Sequence, residues 1–248
     1  MGRIDVQALI EKQNYYHLYQ PLYYLSNWSL CGYEALLRSQ CFSNPELFFG
    51  VARKKKKLFE VDSETLFHAA VEFFSLRQEG LLFLNVFPST LLQRKFLNFF
   101  EKFLTHPAIW GKRVVLEINE GEAVAETKQM QQVINYLRMN GVRVAIDDVG
   151  KGAATLQNVI ELEPEYLKLD RYFAKGLSTS ANKQKLIGAL VEYCRNQTHL
   201  VLEGIEQPED LAVAKLLGIQ IAQGYLLGRP EELIDQRCVT TQTDMSAN

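Results

Sequence analysis

The sequence predicts an α/β protein built as a TIM-like (β/α)8 barrel with an irregular, antiparallel first hairpin. Three observations predict it. Short β-branched runs alternate with longer helical patterns, which implies a parallel sheet with helical crossovers. Eight such runs fit within about 230 residues, the size of one barrel. The first two runs are joined only by the polar stretch SNWS (26–29), too short for a crossover helix, so they must pair antiparallel.

In chain order the strands are read at YHLYQPLYYL (16–25), LCGYEALLR (30–38), LLFLNVF (81–87) and RVVLEIN (113–119). They continue at VRVAIDDV (142–149), YLKLD (166–170), LVLEGI (200–205) and IAQGYLLG (221–228). Helices are expected near 45–58, 62–79, 89–105, 121–140, 152–161, 178–197 and 207–217. No low-complexity linker divides the chain. It reads as one domain over 1–248, with a core at about 16–236 and a polar tail at 238–248.

Of the 248 residues, 47% are hydrophobic and 23% charged, and the formal net charge is −2. Such a balance gives no argument for a nucleic-acid polymer or an anionic membrane. No apolar run approaches the roughly 20 residues that span a bilayer. The start of the chain lacks the apolar core of a signal peptide, and Val6 breaks the myristoylation pattern. A cytoplasmic protein without membrane insertion is expected. The cysteines at 31, 41, 194 and 238 form no C-x-x-C pair and read as reduced thiols in or near the core. His17, His68, His106 and His199 are scattered and read as structural or surface residues. Tyr15, Tyr16, Tyr19, Tyr23 and Tyr24 are expected to fill and rim the first hairpin. The basic run RKKKK (53–57) spans more than one helical turn and reads as a solvated helix surface.

In a barrel of this kind, chemistry sits at the carboxyl ends of the strands. Successive strands carry Glu34, Asn85, Glu117, then Asp147 and Asp148, then Lys168 and Asp170, then Glu203 and Gln223. Barrel strands are covered by helices outside and packed inside, so neither face is wet. The carboxylates far outnumber the single lysine, so the group cannot neutralise itself. Oxygen donors in excess around one point call for hard divalent cations, Mg²⁺ or Mn²⁺. Cations would also hold the adjacent Asp147 and Asp148 together against their repulsion.

These residues resemble the EAL-domain family of cyclic di-GMP phosphodiesterases from about Tyr19 to Pro230. Glu34-Ala35-Leu36 in GYEALLR is the family tripeptide. FLNVFPSTL, LEINE, AIDDVGKG, EPEYLKLDRYF, LEGIEQPEDL and QGYLLGRP resemble the remaining elements in order. The resemblance implies hydrolysis of cyclic di-GMP to linear pGpG by a water activated between two Mg²⁺ or Mn²⁺ ions, in a homodimer. It implies that Glu34, Asn85, Glu117 and Asp147 hold the first metal, and that Asp147 bridges to a second, held also by Asp148. Lys168 and Glu203 would orient and help deprotonate the water, with Gln223 supporting the water network. Leu36, Arg38, Asp170, Gln223 and Pro230 would contact substrate, Arg38 at a phosphate. Glu120 would tie down the loop after the paired aspartates. The alternative is a catalytically weak receptor or interaction module of the same fold. Such members are expected to lose metal ligands or the lysine, and this chain keeps them all.

The loop departs from the family's D-D-F-G-T-G-Y-S-S, reading DDVGKGAAT. Val149, Lys151, Ala153 and Ala154 remove an aromatic anchor and side-chain hydrogen bonds, which shifts the anchoring burden to Glu120. Glu120→Ala is therefore expected to lower kcat by at least about tenfold, or ~1.4 kcal/mol in the barrier. Steady-state kinetics at saturating Mn²⁺ checks this, and wild-type turnover would rule it out.

Overall fold

The computed structural model describes residues 14–119, 127–150, 155–195 and 197–236. Eight strands close into a barrel in chain order. They are β1 (Tyr15–Tyr24), β2 (Leu30–Ser39), β3 (Leu81–Val86), β4 (Val114–Asn119), β5 (Arg143–Val149), β6 (Tyr166–Leu169), β7 (His199–Leu202) and β8 (Ile221–Ala222). Strands β2 to β8 run parallel, and β1 runs against both of its neighbours, β2 and β8. The cause is the short hairpin: Tyr24 N–H donates to Ser29 O at 2.9 Å and Trp28 N–H to Tyr24 O at 2.9 Å. The expected (β/α)8 barrel with its antiparallel first hairpin is the fold observed.

The helices are α1 (Pro45–Lys54), α2 (Leu58–Ser75), α3 (Pro88–Leu91), α4 (Lys95–Thr105) and α5 (Thr127–Met139). They continue with α6 (Thr155–Leu162), α7 (Arg171–Ala174), α8 (Ala181–Cys194) and α9 (Pro208–Leu216). Local chemistry sets several starts. Asn44 caps α1 by accepting from Glu46 N–H, and Pro45 and Pro208 open α1 and α9. The helix expected at 89–105 is two helices, because the chain tightens after α3: Gln93 N–H reaches Thr90 O, three residues back, at 3.2 Å. The sequence reading missed α7, which Asp170 caps through Tyr172 N–H. Cys31 and Cys194 are buried as expected, Cys41 is exposed, and Cys238 lies outside the described residues.

Two apolar layers follow from strand alternation. Outward residues such as Leu84, Leu116, Ile146, Leu167 and Leu202 pack against the helices. Inward, Leu22, Cys31, Phe83, Val115, Ala145, Tyr166, Val201 and Ile221 fill the barrel, with Phe83 edge-on to Tyr166 at 5.2 Å. This inner plug forms the floor on which the polar residues stand.

On the outer face of β1, Tyr15, His17 and Tyr19 line up at period two. Tyr15 and Tyr19 are buried, whereas Tyr16 on the opposite face is exposed. His17 is buried between these rings, 5.9 Å from Tyr15 and 6.4 Å from Tyr19. Burial, helped by nearby His68, pushes its pKa down to about 4. The unfolded chain thus binds a proton that the native state refuses, between about pH 6.5 and 4. Stability from a neutral His17 is present above that window and is lost as pH falls through it. The loss is at most about 3 kcal/mol for such a shift. Urea unfolding at pH 7 and pH 4 should show a smaller pH difference in His17→Leu than in wild type. Equal differences would contradict this.

Candidate active site

Strand periodicity explains why the polar residues converge. Residues i and i+2 of a strand share a face. Asn85, Glu117, Asp147, Lys168, Glu203 and Gln223 each stand two residues beyond a member of the inner plug, Phe83, Val115, Ala145, Tyr166, Val201 and Ile221. They therefore form the next tier inward, at the carboxyl ends of the strands. Glu34 joins them through the β1–β2 register, which pairs it with Gln20 and pairs Leu22 with Gly32. Two of these residues sit just past their strands, since β7 ends at Leu202 and β8 at Ala222, short of the spans expected from sequence. Past Glu203 the chain turns tightly at Gly204, with φ +72° and Arg171 Cβ 2.3 Å from where a Cβ would stand, and past Gln223 Gly224 lies against the Ile205 backbone, whose oxygen a Cβ would meet at 2.1 Å.

Lys168 is the hub. It has no exposed surface, and its Nζ lies 2.6 Å from Glu117 Oε1 and 2.7 Å from Glu203 Oε1. Glu34 Oε2 is at 3.2 Å and Asp147 Oδ1 at 3.4 Å. Amide donors complete Glu34: Asn85 Nδ2 donates to Oε1 at 3.0 Å and Gln223 Nε2 to Oε2 at 2.9 Å. Burial lowers the Lys168 pKa, but the four carboxylates outweigh it and hold the ammonium well above its usual range. Burial drives the carboxylates apart in acidity. It raises Glu117 well above normal, with Glu34 adding to the rise, and it raises Asp147. It pushes Glu203 up to about 8 despite Lys168. Glu34 is also buried, yet Lys168, Gln223 and Asn85 together bring it below the ordinary value.

The paired aspartates owe their geometry to a bulge. A regular strand would send Asp147 and Asp148 to opposite faces. The β5–β6 register slips between Ile146 and Val149, and Asp148 takes φ +58°. Aspartate tolerates this left-handed conformation better than most side chains. Oxygens of Asp147, Asp148 and Glu203 consequently lie within 4.8 Å of one another. Sequence reading placed Glu203 at the water; the structure also brings it to the aspartate pair.

The donor set fits hard divalent cations. Five carboxylates, on Glu34, Glu117, Asp147, Asp148 and Glu203, share one ammonium. Glu117 Oε2 is buried and finds no hydrogen-bond donor among the described residues, and Asp147 Oδ1 is held by Lys168 Nζ only at 3.4 Å. An orphaned buried carboxylate oxygen is costly, and an oxygen-seeking cation removes that cost.

The group opens into a cavity of about 320 Å³ lined by Glu34, Asp147, Asp148, Glu203 and Gln223, with Leu36, Asp170, Arg171, Glu206 and Tyr225. Arg171 and Tyr225 were missed from sequence, although each adjoins a quoted motif residue. Leu36 and Glu34 also line a second, adjoining cavity of about 380 Å³, which holds Arg38, Asn85, Phe49, Phe87 and Asp62. Arg38 therefore stands beside the acidic cavity rather than in it, and its Nη1 donates to Leu37 O at 2.9 Å. Pro230 is half-buried and lines neither cavity. Glu120, Lys151, Ala153 and Ala154 lie outside the described residues.

Removing the hub lysine leaves four buried carboxylates without their counter-charge. Lys168→Met is expected to cost about 3 kcal/mol at pH 7.5, the low end for a broken buried pair. Glu117 and Glu203, already poised toward the neutral form, take up protons and limit the loss. Mn²⁺ should stabilise the variant at least as much as wild type. Thermal unfolding with and without Mn²⁺ checks both points, and an unchanged melting temperature without metal would contradict the role of Lys168.

Comparison with known proteins agrees with this geometry. Residues 3–230 match the family model of the EAL domain. The probable cyclic di-GMP phosphodiesterase PdeN of Escherichia coli K12 is 28% identical over 240 residues, which cover 93% of this chain and 46% of PdeN. The cyclic di-GMP phosphodiesterase RocR of Pseudomonas aeruginosa is 28% identical over 241 residues, 91% of this chain and 60% of RocR. The chain thus spans under half of PdeN and little more than half of RocR. Among solved structures, the FimX EAL domain of Xanthomonas citri in complex with cyclic di-GMP superposes with TM-score 0.82 at 17% identity, covering 92% of each chain. BlrP1 of Klebsiella pneumoniae, in a manganese and cyclic di-GMP complex, gives TM-score 0.80 at 24% identity over 88% of this chain and 56% of BlrP1. The barrel, its ordered strand-end residues and the family match together place this chain in the EAL domain family.

Proposed function

We propose that this chain is a phosphodiesterase that hydrolyses cyclic di-GMP to linear pGpG. The observation that supports it most is the convergence of seven strand ends on one buried cluster of carboxylates, amides and a lysine. No member of the expected set has been replaced, which favours an enzyme over a binding-only relative. The names of PdeN and RocR support the same substrate.

When bound, two divalent cations, Mg²⁺ or Mn²⁺, neutralise the phosphodiester and lower the pKa of the attacking water. Glu34, Asn85, Glu117 and Asp147 would hold the first, and Asp147 with Asp148 the second. In the reaction the water oxygen bonds to phosphorus, the phosphorus–O3′ bond breaks, and the leaving oxygen takes up a proton. Glu203 orients the water and accepts its proton. Lys168, fixed by its carboxylates, supplies positive charge to the developing oxyanion. Gln223 holds Glu34 and supports the water network. Leu36 and Asp170 line the substrate's path, and Arg38 binds a phosphate from the adjoining cavity. There the edge-to-face pair Phe49 and Phe87, 5.0 Å apart, offers apolar walls for one base. Pro230 contacts substrate only if the segment after β8 closes over it. The active species is a homodimer in this reading, and no nucleic-acid polymer is a partner. No helix of the described residues is long and apolar enough to cross a membrane.

Chromatography of cyclic di-GMP incubated with protein and Mn²⁺ should show pGpG, and EDTA should abolish its formation. Turnover that survives EDTA would refute the metal-dependent reading. Ca²⁺ should inhibit, since it takes longer and looser coordination. Glu34→Ala should abolish turnover. Lys168→Met should lower kcat more than it weakens binding, whereas Arg38→Ala should chiefly raise KM.

A further inference from the structure

The wall of the acidic cavity holds a guanidinium. Arg171 lines it beside Asp148, Glu203 and Glu206. Two neighbours fix its place. Asp170 caps α7 by accepting from Tyr172 N–H at 2.8 Å, which makes Arg171 the first residue of that helix. Gly204, also in the cavity wall, leaves room for the arginine stem. A Cβ at 204 would meet Arg171 Cβ at 2.3 Å, its Cα at 3.0 Å and its Cγ at 3.6 Å. Only glycine lets the two segments pass so closely. Arg171 is exposed, so its charge stands at the mouth while the carboxylates of Glu34 and Asp147 are buried below. Among the described residues its guanidinium is in no ion pair or hydrogen bond, although carboxylates share its cavity. Divalent cations on those carboxylates would add positive charge beneath it. An anion between the two layers relieves that repulsion.

We propose that Arg171 binds the scissile phosphodiester from the side opposite the cations, with its forked N–H groups on the non-bridging oxygens. The proposal rests on the phosphodiesterase reading and adds a substrate contact to it. A guanidinium fork matches two oxygens of one phosphate, which a lysine ammonium cannot. Donors already aimed at those oxygens stabilise the charge that they carry in the transition state. Arg38, in the adjoining cavity, then serves the other phosphate of the cyclic dinucleotide. The two cavities meet at Glu34 and Leu36, which line both. A ring with two phosphates can lie across that junction, one arginine at each phosphate.

Two substrates separate these contacts. Bis(p-nitrophenyl) phosphate is a phosphodiester with one phosphate and no purine. In Mn²⁺, Arg171→Ala should lower kcat/KM at least about tenfold on this substrate and on cyclic di-GMP, as expected for loss of a charge-assisted hydrogen bond. Arg38→Ala should lower it on cyclic di-GMP alone. Arg171→Lys should recover only part of the loss. Guanidinium chloride, set against NaCl at equal ionic strength, should speed cyclic di-GMP hydrolysis by Arg171→Ala but not by wild type. A merely structural arginine would give no such rescue. Wild-type kcat/KM for Arg171→Ala on bis(p-nitrophenyl) phosphate would overturn the proposal. So would a loss confined to cyclic di-GMP, which would put Arg171 at a base or at the second phosphate. Where only cyclic di-GMP is turned over, the presence or absence of rescue decides. Should wild type hydrolyse neither substrate, the enzyme reading fails and binding decides this one. Cyclic di-GMP in Ca²⁺ should then bind Arg171→Ala at least about tenfold more weakly than wild type. Equal affinity, or no binding by wild type, would overturn the assignment.

Discussion

Everything at the mouth of this barrel depends on one buried ammonium. Lys168 Nζ stands among Glu34, Glu117, Asp147 and Glu203, at distances from 2.6 to 3.4 Å. One positive charge cannot balance four, so the site is incomplete electrostatically. Two outcomes relieve the excess: carboxylates take up protons, which the raised pKa values of Glu117, Asp147 and Glu203 express, or cations enter. The same imbalance that destabilises the metal-free mouth is what would give it affinity for divalent ions. Lys168 has a double part, keeping the carboxylates close enough to share a cation while leaving Glu117 Oε2 without a hydrogen-bond donor among the described residues.

The barrel makes this arrangement with little local information. Alternation along β3 to β8 puts an apolar residue in the plug and, two positions later, a polar residue above it. The plug excludes water from below, so the polar tier is buried on one side and opens to a cavity on the other. Two strands need a special device: the register between β1 and β2 skips Cys31, and β5 is bulged at the paired aspartates. The bulge at Asp147 and Asp148 turns two consecutive carboxylates toward one centre, where regular pleating would waste one of them on the helix layer.

The strand order, the antiparallel hairpin and the convergence of Glu34, Asn85, Glu117, Asp147, Lys168, Glu203 and Gln223 were legible in the sequence, because each follows from periodicity and connection length. What was not legible followed from three-dimensional closure. The reading extended β7 and β8 through Glu203 and Gln223, since the apolar pattern continues there. The structure ends both strands earlier, where Gly204 packs on Arg171 and Gly224 on the Ile205 backbone. Asp170 read as a strand-end substrate contact, yet its carboxylate also caps α7, a four-residue helix too short to leave a periodic signal. The run at 53–57 read as a uniform helical surface. A residue in the left-handed region broke it, and nothing in the identity of Lys56 announces that conformation. Arg38 could be placed beside the site, but not in which of two cavities, because that depends on how the rim of β2 meets α1 and α2.

The reversed direction of β1 fixes the polarity of the whole molecule. Tyr15 pairs with Ser39, at the end of β2, so the start of β1 lies at the rim where the polar tier stands. In a barrel of eight parallel strands the first strand would begin at the opposite pole. Here whatever is joined upstream of Tyr15 is tethered at the mouth. The attachment point is the rim of β1 and β2, the hairpin that carries Glu34, Leu36 and Arg38. A single inverted strand thereby brings the covalent lead-in of the chain to the same pole as its acidic cluster.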